Sequence, residues 1–374
     1  MKYFLIAGEA SGDLHASNLM AALKLKDTSA EFCFLGGDLM QAQGGFLVKH
    51  YRDMAFMGFV NVLMNIGTVL QTIKECKQAI ATFRPDVVIL IDYPGFNLRI
   101  AKYVKENFEM PVYYYISPKL WAWKTYRIKS IKKYIDKLYT IFPFETEFYA
   151  AYNYKVDYVG NPTVDSIANF HKNKQTNNFH ETHQLDNRPI VALLAGSRRQ
   201  EIKNCLPTMV AMAEQFPTFQ FLIAAAPGIE TTYYNQFLTP NVKVLADSTY
   251  LLLDHSYAAI VNSGTATLET GLLKVPQVVV YHVIGGRIAS LLKKILIKTK
   301  YISLVNLVAE TEVVKELVAH LFTAENVHAE LKKILTDQLY YNQIKSGYDA
   351  LEKRLGGAGA ATNAAKAIIE NLEK

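Results

Sequence analysis

The chain begins with a short apolar run, a glycine-containing turn and a helical pattern. Tyr3–Ala7 has the length of a buried strand, and the polar turn Gly8–Asp13 follows it directly. A strand, a tight turn and a helix in this order are typical of the first unit of a doubly wound α/β domain, where such turns face ligands. The N–H groups at the helix start suit an anion or a sugar hydroxyl, although Ser11 or Asp13 could equally be a simple helix N-cap.

Strand-like and helical patterns alternate along both halves of the chain, which predicts mostly parallel sheets. The predicted strands are Tyr3–Ala7, Glu31–Leu35, Val87–Ile91, Val112–Ile116, Lys137–Ile141, Val156–Val159, Ile190–Leu194, Phe219–Ala224, Val242–Leu245, Ala259–Asn262 and Gln277–Tyr281. The polar segment Asn169–Arg188 is the best linker candidate. We therefore expect an α/β fold of two doubly wound parallel-sheet domains, residues 1–170 and 189–345, facing across a ligand cleft. Residues 346–374 would end in a helix that packs back on the first domain.

The net charge of +6 favours an anionic partner, such as a nucleotide, a phosphate or a membrane surface. No zinc-finger, RNP or basic-arm motif supports binding to nucleic acid. The three cysteines are scattered and odd in number, which indicates a reducing compartment. We expect neither a leader, since the chain opens directly on a strand pattern, nor a membrane span, since no run of about 18 uncharged apolar residues occurs.

A carboxylate follows the apolar strand of the first half. Asp92 comes directly after Val87–Ile91, in the segment Ile91–Asn97. Ligands bind at the carboxyl edge of open α/β sheets, and a carboxylate there can accept a proton from an attacking hydroxyl. The alternative, of about equal weight, is that Asp92 only caps the turn into the next helix.

A glycine–serine turn with arginines follows the first strand of the second half. Gly196, Ser197 and Arg198 stand between Ile190–Leu194 and a helical pattern. Backbone N–H groups and a guanidinium fork can together hold a diphosphate, which favours phosphate binding over a solvated helix start. In the solvated alternative, Glu201 is only a charged surface residue.

A second phosphate-type turn follows Ala259–Asn262. Ser263, Gly264 and Thr265 offer N–H and hydroxyl groups to phosphate oxygens, and Glu269 lies further along the helix. Its carboxylate could accept hydrogen bonds from two ribose hydroxyls, although glutamate is also common on helix surfaces.

Two such turns in one domain and a carboxylate-tipped strand in the other indicate a two-domain glycosyltransferase that uses a nucleotide sugar. The donor nucleotide would bind the second domain and the acceptor the first. The alternatives are another two-domain nucleotide-sugar enzyme, namely an epimerase or a glycosyltransferase with a soluble acceptor, and a non-catalytic nucleotide- or RNA-binding protein.

The motifs recur in one known family in the same order, and the chain resembles lipid-A-disaccharide synthase over nearly its whole length. The matching segments are Ala7–Ser17, Phe56–Leu63, Pro85–Asn97, Ile116–Lys133, Phe142–Glu145, Val159–Asp165, Leu193–Ile202, Ser263–Thr270 and Tyr301–Ala309.

The resemblance implies a GT-B fold and an inverting transfer, without a metal or other cofactor. UDP-2,3-diacylglucosamine would be the donor, 2,3-diacylglucosamine 1-phosphate the acceptor, and lipid A disaccharide 1-phosphate and UDP the products. Asp92 would be the base. The implied substrate-binding residues are Glu9, Ser11, Asp13, Asn97 and Asn306. The implied UDP-binding residues are Gly196, Ser197, Arg198, Ser263, Gly264, Thr265 and Glu269.

Three positions depart from the family pattern. Gly95 stands where some members have a second acid, so Asp92 has no backup as base. Ala195 replaces a common proline before the glycine–serine turn, which should loosen that turn slightly. Thr311 replaces an arginine of some members, so no phosphate role is transferred to it.

The resemblance further implies a cytoplasmic protein that is peripheral on the inner face of the inner membrane. Two basic segments with apolar residues could provide the contact, Lys119–Lys137 and Arg287–Lys300. Packing of their apolar stripes into the core is the alternative. A homodimer is a further expectation, in which two subunits would exchange their terminal helices.

Overall fold

The chain forms two compact units, each built around one parallel sheet. Unit 1 comprises Met1–Pro162 and Ala358–Lys374, and unit 2 comprises Thr163–Gly357. The structure is a computed structural model that describes residues 1–54, 66–121, 125–174, 178–283 and 300–374.

Seven parallel strands form the sheet of unit 1. They are β1 (Lys2–Ala7), β2 (Glu31–Gly36), β3 (Phe46–His50), β4 (Val87–Ile91), β5 (Val112–Tyr115), β6 (Lys137–Thr140) and β7 (Asp157–Tyr158). Their order in the sheet is β3-β2-β1-β4-β5-β6-β7. Strand β4 consists only of Val, Ile and Leu and is buried along its full length, as expected for a central strand covered on both faces.

Helices cover both faces of this sheet. They are α1 (Ala10–Lys26), α2 (Asp38–Ala42), α3 (Ile66–Phe83), α4 (Pro94–Asn107), α5 (Ile128–Tyr134) and α6 (Phe144–Ala150). One hydrophobic core lies between α1 and one face of the sheet. A second core lies between α3, α4 and α5 and the opposite face.

The direction of chain progression through this sheet reverses between β1 and β4. These two strands are parallel neighbours, with Ala7 paired to Ile91 at their carboxyl ends. Strands β2 and β3 continue on one side of the pair, and β5 to β7 continue on the other. The turns after β1 and β4 therefore lie together at a topological switch point, the usual ligand position in such sheets.

Unit 2 repeats the design with six parallel strands. They are β8 (Ile190–Leu194), β9 (Gln220–Ala224), β10 (Val242–Leu245), β11 (Ser256–Asn262), β12 (Gln277–Tyr281) and β13 (Glu316–Val318). The order is β10-β9-β8-β11-β12-β13, with the reversal between β8 and β11. The turns after β8 and β11 therefore share the switch point of this sheet.

Ten further helices complete the described chain. They are α7 (Pro162–Asn173), α8 (Phe179–Thr182), α9 (Arg199–Val210), α10 (Met212–Gln215), α11 (Thr249–Asp254), α12 (Thr265–Leu272), α13 (Leu304–Ala309), α14 (Ala324–Thr336), α15 (Gln338–Leu355) and α16 (Ala360–Leu372). Pro162 and Thr163 mark the unit boundary, so the polar segment Asn169–Arg188 lies inside unit 2 and begins as helix.

The terminal helix α16 belongs to unit 1 and packs on α1. Ala364, Ala365 and Ile368 are buried in the core that contains Leu19 and Leu23. Asn371 donates a hydrogen bond to the Tyr139 hydroxyl at 3.3 Å. These contacts lie within one chain, and a homodimer stays a prediction.

Candidate active site

Asp92 stands on a sharp turn between β4 and α4. It has a φ of 42°, and Tyr93, the N-cap residue, has a φ of 47°. Two successive non-glycine residues in the left-handed region are uncommon and strained, so the surroundings must hold them. The Asp92 carbonyl accepts hydrogen bonds from the Tyr114 hydroxyl and from the Asn97 Nδ2 at 2.7 Å. Both bonds go to the backbone carbonyl and hold the turn without using the carboxylate, which has a hydrogen bond from the N–H of Tyr93.

Asn97 is wholly buried beneath this turn. Its Nδ2 also donates to the Ile91 carbonyl at 3.1 Å, so the amide ties the end of β4 to the first turn of α4. The described contacts give Asn97 a positioning role under Asp92, and direct substrate binding by it stays a prediction.

The electrostatic setting of Asp92 suits a base. Burial raises the pKa of the Asp92 carboxyl above its ordinary value, and the positive charge of Lys119 acts in the opposite direction. A carboxylate that is less stable in its charged form holds a proton more strongly, which increases its power as a general base while it stays ionised.

The turn after β1 lies against the turn after β4. A Cβ on Gly8 would stand 2.3 Å from the Tyr93 ring, so only glycine fits there. Glu9 is the N-cap residue of α1, and Ser11 is exposed on its first turn. The position of both residues at the switch point agrees with the substrate role that the resemblance implies, which stays a prediction.

Asp13 has a different environment from its neighbours, because it is 3% exposed. Its carboxylate accepts hydrogen bonds from the N–H groups of Gly37 at 2.8 Å, Leu39 at 3.1 Å and Met40 at 3.1 Å. Asp13 thus caps α2 from α1, as an anion at a helix N-terminus does. The contacts assign it to holding the turn after β2 in place, and a contact with substrate stays a prediction.

The glycine–serine turn after β8 is bonded to the carboxylate of Glu201, which lies in the first turn of α9. Gly196 has a φ of +113°, and a Cβ there would stand 2.5 Å from the Glu201 Oε2. That oxygen accepts hydrogen bonds from the N–H groups of Ser197 at 3.0 Å and Arg198 at 3.3 Å. Two of the donors expected to hold a diphosphate are therefore occupied, and the interpretation of Glu201 as simple charged surface is wrong.

Arg198 extends its side chain from this turn into solvent. The guanidinium is 68% exposed and lies 3.4 Å from the Glu201 Oε1. The next residue, Arg199, pairs instead with Glu230 at 3.2 Å and covers the Tyr233 ring. The two adjacent arginines thus have separate partners, and only Arg198 shares a partner with the backbone of the turn.

The turn after β11 presents open backbone. Gly264 and Thr265 are exposed, and a Cβ on Gly264 would meet nothing within 4 Å. The Ser263 hydroxyl donates to the Ile302 carbonyl at 3.0 Å, so this hydroxyl holds a neighbouring segment. The first turn of α12 is therefore accessible to an anion.

Glu269 lies on α12, and burial raises the pKa of its carboxyl. The Tyr250 hydroxyl on α11 donates to its Oε1 at 2.9 Å. Among the described residues, Tyr250 is thus the partner of one carboxylate oxygen, and the predicted ribose contact would use the other, Oε2. Sequence reasoning missed Tyr250, because the contact joins two helices that no local pattern connects.

Asn306 lies fully buried in α13, where its side chain makes four hydrogen bonds. Its Nδ2 donates to the Val314 carbonyl at 2.8 Å and to the Glu316 Oε1 at 2.9 Å. Its Oδ1 accepts from the N–H groups of Val313 at 2.9 Å and Val314 at 3.0 Å. These four bonds use both N–H donors and both acceptor sites of the side-chain amide. A substrate role for Asn306 stays a prediction.

Glu316 extends this network towards the β11 turn. Its carboxylate accepts from the N–H groups of Ile302 and Ser303 at 2.9 Å each, and from the Ser303 hydroxyl at 2.7 Å. Since the Ile302 carbonyl accepts from Ser263, the network fixes the backbone beside the predicted phosphate turn.

The segment Lys119–Lys137 divides between core and surface. Trp121 is 8% exposed and packs edge-on against Phe144, with ring centroids 5.2 Å apart. Ile128 and Ile131 of α5 are also buried. Its apolar stripe therefore belongs to the core of unit 1, and the membrane interpretation of Trp121 is wrong.

The exposed face of α5 is basic. The exposed side chains include Lys129, Lys132 and Lys133, with Tyr126 at 66% exposure just before the helix. Three of the predicted parts lie outside the described residues: Trp123 and Lys124 of this segment, residues 287–299 of the second basic segment, and the motif Phe56–Leu63.

Two searches of the described ranges gave negative results. No group of three or more His, Cys, Asp or Glu side chains there is arranged to hold a metal ion. Within the same ranges, no helix has the length and apolarity needed to cross a bilayer.

Comparison with known proteins follows the same motifs. A family model described as lipid-A-disaccharide synthetase matches residues 3–368. The chain is 36% identical over 382 residues to lipid-A-disaccharide synthase of Myxococcus xanthus, covering 99% of this chain and 97% of that protein. The enzyme of the same name from Coxiella burnetii strain RSA 331 is 35% identical over 374 residues, covering 98% and 97%. The chain belongs to the lipid-A-disaccharide synthase family. This confirms the resemblance, and with it a glycosyltransferase.

Solved structures show the same architecture at low identity. UDP-GlcNAc 2-epimerase from Neisseria meningitidis, solved with UDP-GlcNAc, matches with a TM-score of 0.69 and 16% identity over 100% of both chains. The calicheamicin glycosyltransferase CalG4 matches with a TM-score of 0.60 and 13% identity over 99% of this chain and 98% of that one. These likenesses bear on the fold alone, and together with the two parallel sheets they confirm the GT-B class for this member of the lipid-A-disaccharide synthase family.

Proposed function

We propose that this chain transfers a 2,3-diacylglucosamine unit from UDP to 2,3-diacylglucosamine 1-phosphate. The products are the β-1,6-linked disaccharide 1-phosphate and UDP. The proposal depends on the position of two residues. Asp92 in unit 1 and Arg198 in unit 2 each follow a strand at the switch point of their own sheet, where the direction of chain progression reverses. Membership of the family supplies the substrate class.

Asp92 acts as the general base in this proposal. Its carboxylate takes the proton of the acceptor's 6-hydroxyl as that oxygen forms a bond to the anomeric carbon of the donor. The bond from the anomeric carbon to the diphosphate oxygen breaks on the opposite side, which inverts the configuration. The strained turn supports the role, because Tyr114 and Asn97 bind the backbone carbonyl of Asp92 and so hold the turn that carries its carboxylate.

The leaving UDP gathers negative charge, which unit 2 would stabilise. Arg198 supplies an exposed positive charge, and the exposed start of α12 at Gly264 and Thr265 supplies N–H donors. The Glu269 Oε2 accepts from a ribose hydroxyl. The buried network of Ser303, Asn306 and Glu316 holds the segment that Ser263 contacts.

Incubation of the purified protein with both diacylated substrates tests the reaction. We expect equimolar UDP and disaccharide phosphate, with UDP release dependent on the diacylated acceptor. UDP-sugar epimerisation without transfer would favour the epimerase alternative. Equal transfer to a soluble, non-acylated acceptor would favour the other glycosyltransferase.

Arg198→Ala tests the diphosphate site. We expect it to weaken UDP binding roughly 10-fold, because a charge-assisted hydrogen bond to a phosphate is lost. Isothermal titration calorimetry with UDP measures this effect. Arg199→Ala is the matched control, since Arg199 is the adjacent arginine but lies against Glu230 and the Tyr233 ring, and it should change the UDP affinity less than twofold. Equal losses in both variants would reject the assignment of Arg198.

We further propose that the basic face of α5 binds the anionic inner face of the inner membrane. Lys129, Lys132 and Lys133 are exposed there beside Tyr126, while the apolar stripe of the helix is buried. The contact is therefore electrostatic and does not depend on insertion of α5.

Replacing Lys129 and Lys133 by Gln should weaken binding to phosphatidylglycerol vesicles about 30-fold, since each of the two basic residues near an anionic surface contributes about 1 kcal/mol. Vesicle sedimentation at several salt concentrations measures the loss. The control replaces two exposed lysines elsewhere, Lys332 and Lys353, by Gln. An equal loss in the control would assign the binding to net charge alone, and unchanged binding of the α5 variant would exclude this face.

A further inference from the structure

The glycine–serine turn after β8 contains an anion of its own at the place where the proposed diphosphate would bind. The Glu201 Oε2 accepts from the N–H groups of Ser197 and Arg198, and its Oε1 lies 3.4 Å from the Arg198 guanidinium. One carboxylate therefore engages both kinds of phosphate-binding group, backbone N–H and guanidinium, in this turn.

The backbone is shaped around this carboxylate. Gly196 adopts a φ of +113°, and its hypothetical Cβ would lie 2.5 Å from the Glu201 Oε2 and 2.8 Å from the Asn262 Nδ2. The close approach of Glu201 to the turn thus depends on a position where no side chain fits. Glu201 is the N3 residue of a capping box on α9, and its carboxylate in addition lies beside the guanidinium of the arginine assigned to UDP.

The charges around the turn are balanced before any ligand binds. Arg198 is opposed by Glu201, and Arg199 by Glu230. Glu201 is 30% exposed and bonded to the turn, whereas the Glu230 side chain is 75% exposed and pairs with Arg199. An incoming diphosphate must therefore compete with Glu201 for Arg198, and it also meets the negative charge of Glu201 at short range.

We propose that Glu201 is an internal competitor of the nucleotide diphosphate, which lowers the affinity for UDP and so promotes its release after transfer. This inference rests on the proposed function, because it takes the turn after β8 as the diphosphate site. Glu201 acts through Arg198 and the turn and is a positioning residue.

Glu201→Gln removes the charge and retains an oxygen that can accept from the turn. We expect UDP to bind about three- to tenfold more tightly to this variant, since repulsion is removed and Arg198 is released from its ion pair. The Ki of UDP as product inhibitor should fall by the same factor. The plot of log Kd against log salt concentration should become steeper, because one more uncompensated positive charge faces the ligand.

Glu230→Gln is the matched control. It removes the same charge beside the neighbouring arginine, away from the N–H groups of the turn, and should leave the Kd of UDP within twofold. A merely structural Glu201 would give weaker UDP binding in the Gln variant, and an idle Glu201 would give unchanged binding. Either result, or equal tightening in both variants, overturns the inference.

The wild-type titration separates this inference from the proposed function. If UDP binds the wild-type protein and Arg198→Ala weakens that binding, the site stands, and the Gln variant alone decides the role of Glu201. If the wild-type protein does not bind UDP, the proposed function fails first. Thermal melting of Glu201→Gln within a few degrees of wild type shows that the comparison concerns folded protein.

Discussion

Asp92→Asn should reduce kcat about 10²–10⁴-fold, the usual scale for removal of a general base. Asparagine has nearly the shape of aspartate and tolerates the left-handed φ of 42° at this position. The bonds that hold the turn go to the Asp92 carbonyl, so the substitution leaves them in place. Initial rates of UDP release at saturating substrates measure the loss, and the Kd of UDP should stay at the wild-type value.

Glu106→Gln is the control for this variant, because Glu106 is an exposed acid at the far end of α4 whose ion pair with Lys102 spans 3.8 Å. It should keep the wild-type rate. A near-normal rate for Asp92→Asn would exclude Asp92 as the base.

The pH profile gives a second readout of the same residue. Since burial raises the pKa of Asp92, activity should fall with decreasing pH at a higher pH than an ordinary aspartate would give. Removal of the opposing charge in Lys119→Met should move this acid limb further towards neutral pH. An acid limb that stays in place in Lys119→Met would assign it to another group.

Strands with continuous apolar runs were predictable almost to the residue. Val87–Ile91, Ile190–Leu194, Val242–Leu245 and Gln277–Tyr281 were predicted with their observed bounds. Of these, β4, β8 and β12 are interior strands and carry a strong local signal, because both faces must be apolar, whereas β10 lies at the edge of its sheet. The edge strands β3 and β13 were missed, since β3 is nowhere fully buried, β13 has three residues, and the pairing of each is decided by the neighbouring strand.

The positions of the site residues were more predictable than their contacts. The turns after β1, β4, β8 and β11 were identified from a glycine or an acid at the end of an apolar run, and topology brings them together in pairs. The buried partners of Asp13 and Asn306 were not predictable, because they come from backbone N–H groups that are distant in sequence or lie in a loop of no regular pattern.

Glu201 is the instructive exception among these residues. A glutamate three residues after a helix N-cap commonly reaches back to the N–H of the cap, and the spacing from Arg198 fits that pattern. This spacing predicts a contact between Glu201 and the turn, which an interpretation of the arginines alone does not. Physical interpretation of a phosphate turn therefore has to include the acids of the following helical turn.

Asn306→Leu should lower the free energy of unfolding by about 3–5 kcal/mol, because leucine has a similar size and leaves buried N–H and C=O groups without partners. The groups affected are the backbone of Val313 and Val314 and the carboxylate of Glu316. Urea unfolding followed by circular dichroism measures the change. Since Glu316 also binds the N–H groups of Ile302 and Ser303, loss of the network should loosen the segment beside Ser263 and weaken UDP binding as well.

Asn326→Leu provides the control, since Asn326 lies exposed near the start of α14 and its Nδ2 donates to the Leu321 carbonyl. It should cost less than about 1 kcal/mol and leave UDP binding intact. If Asn306→Leu kept wild-type stability but lost activity, Asn306 would contact the substrate directly. The four hydrogen bonds within the protein would then not be the role of this side chain in the working enzyme. Loss of stability together with UDP affinity is the expected pair, because the four bonds of Asn306 hold the loop at Val313 and Val314 and also hold Glu316, which binds the backbone beside the phosphate turn.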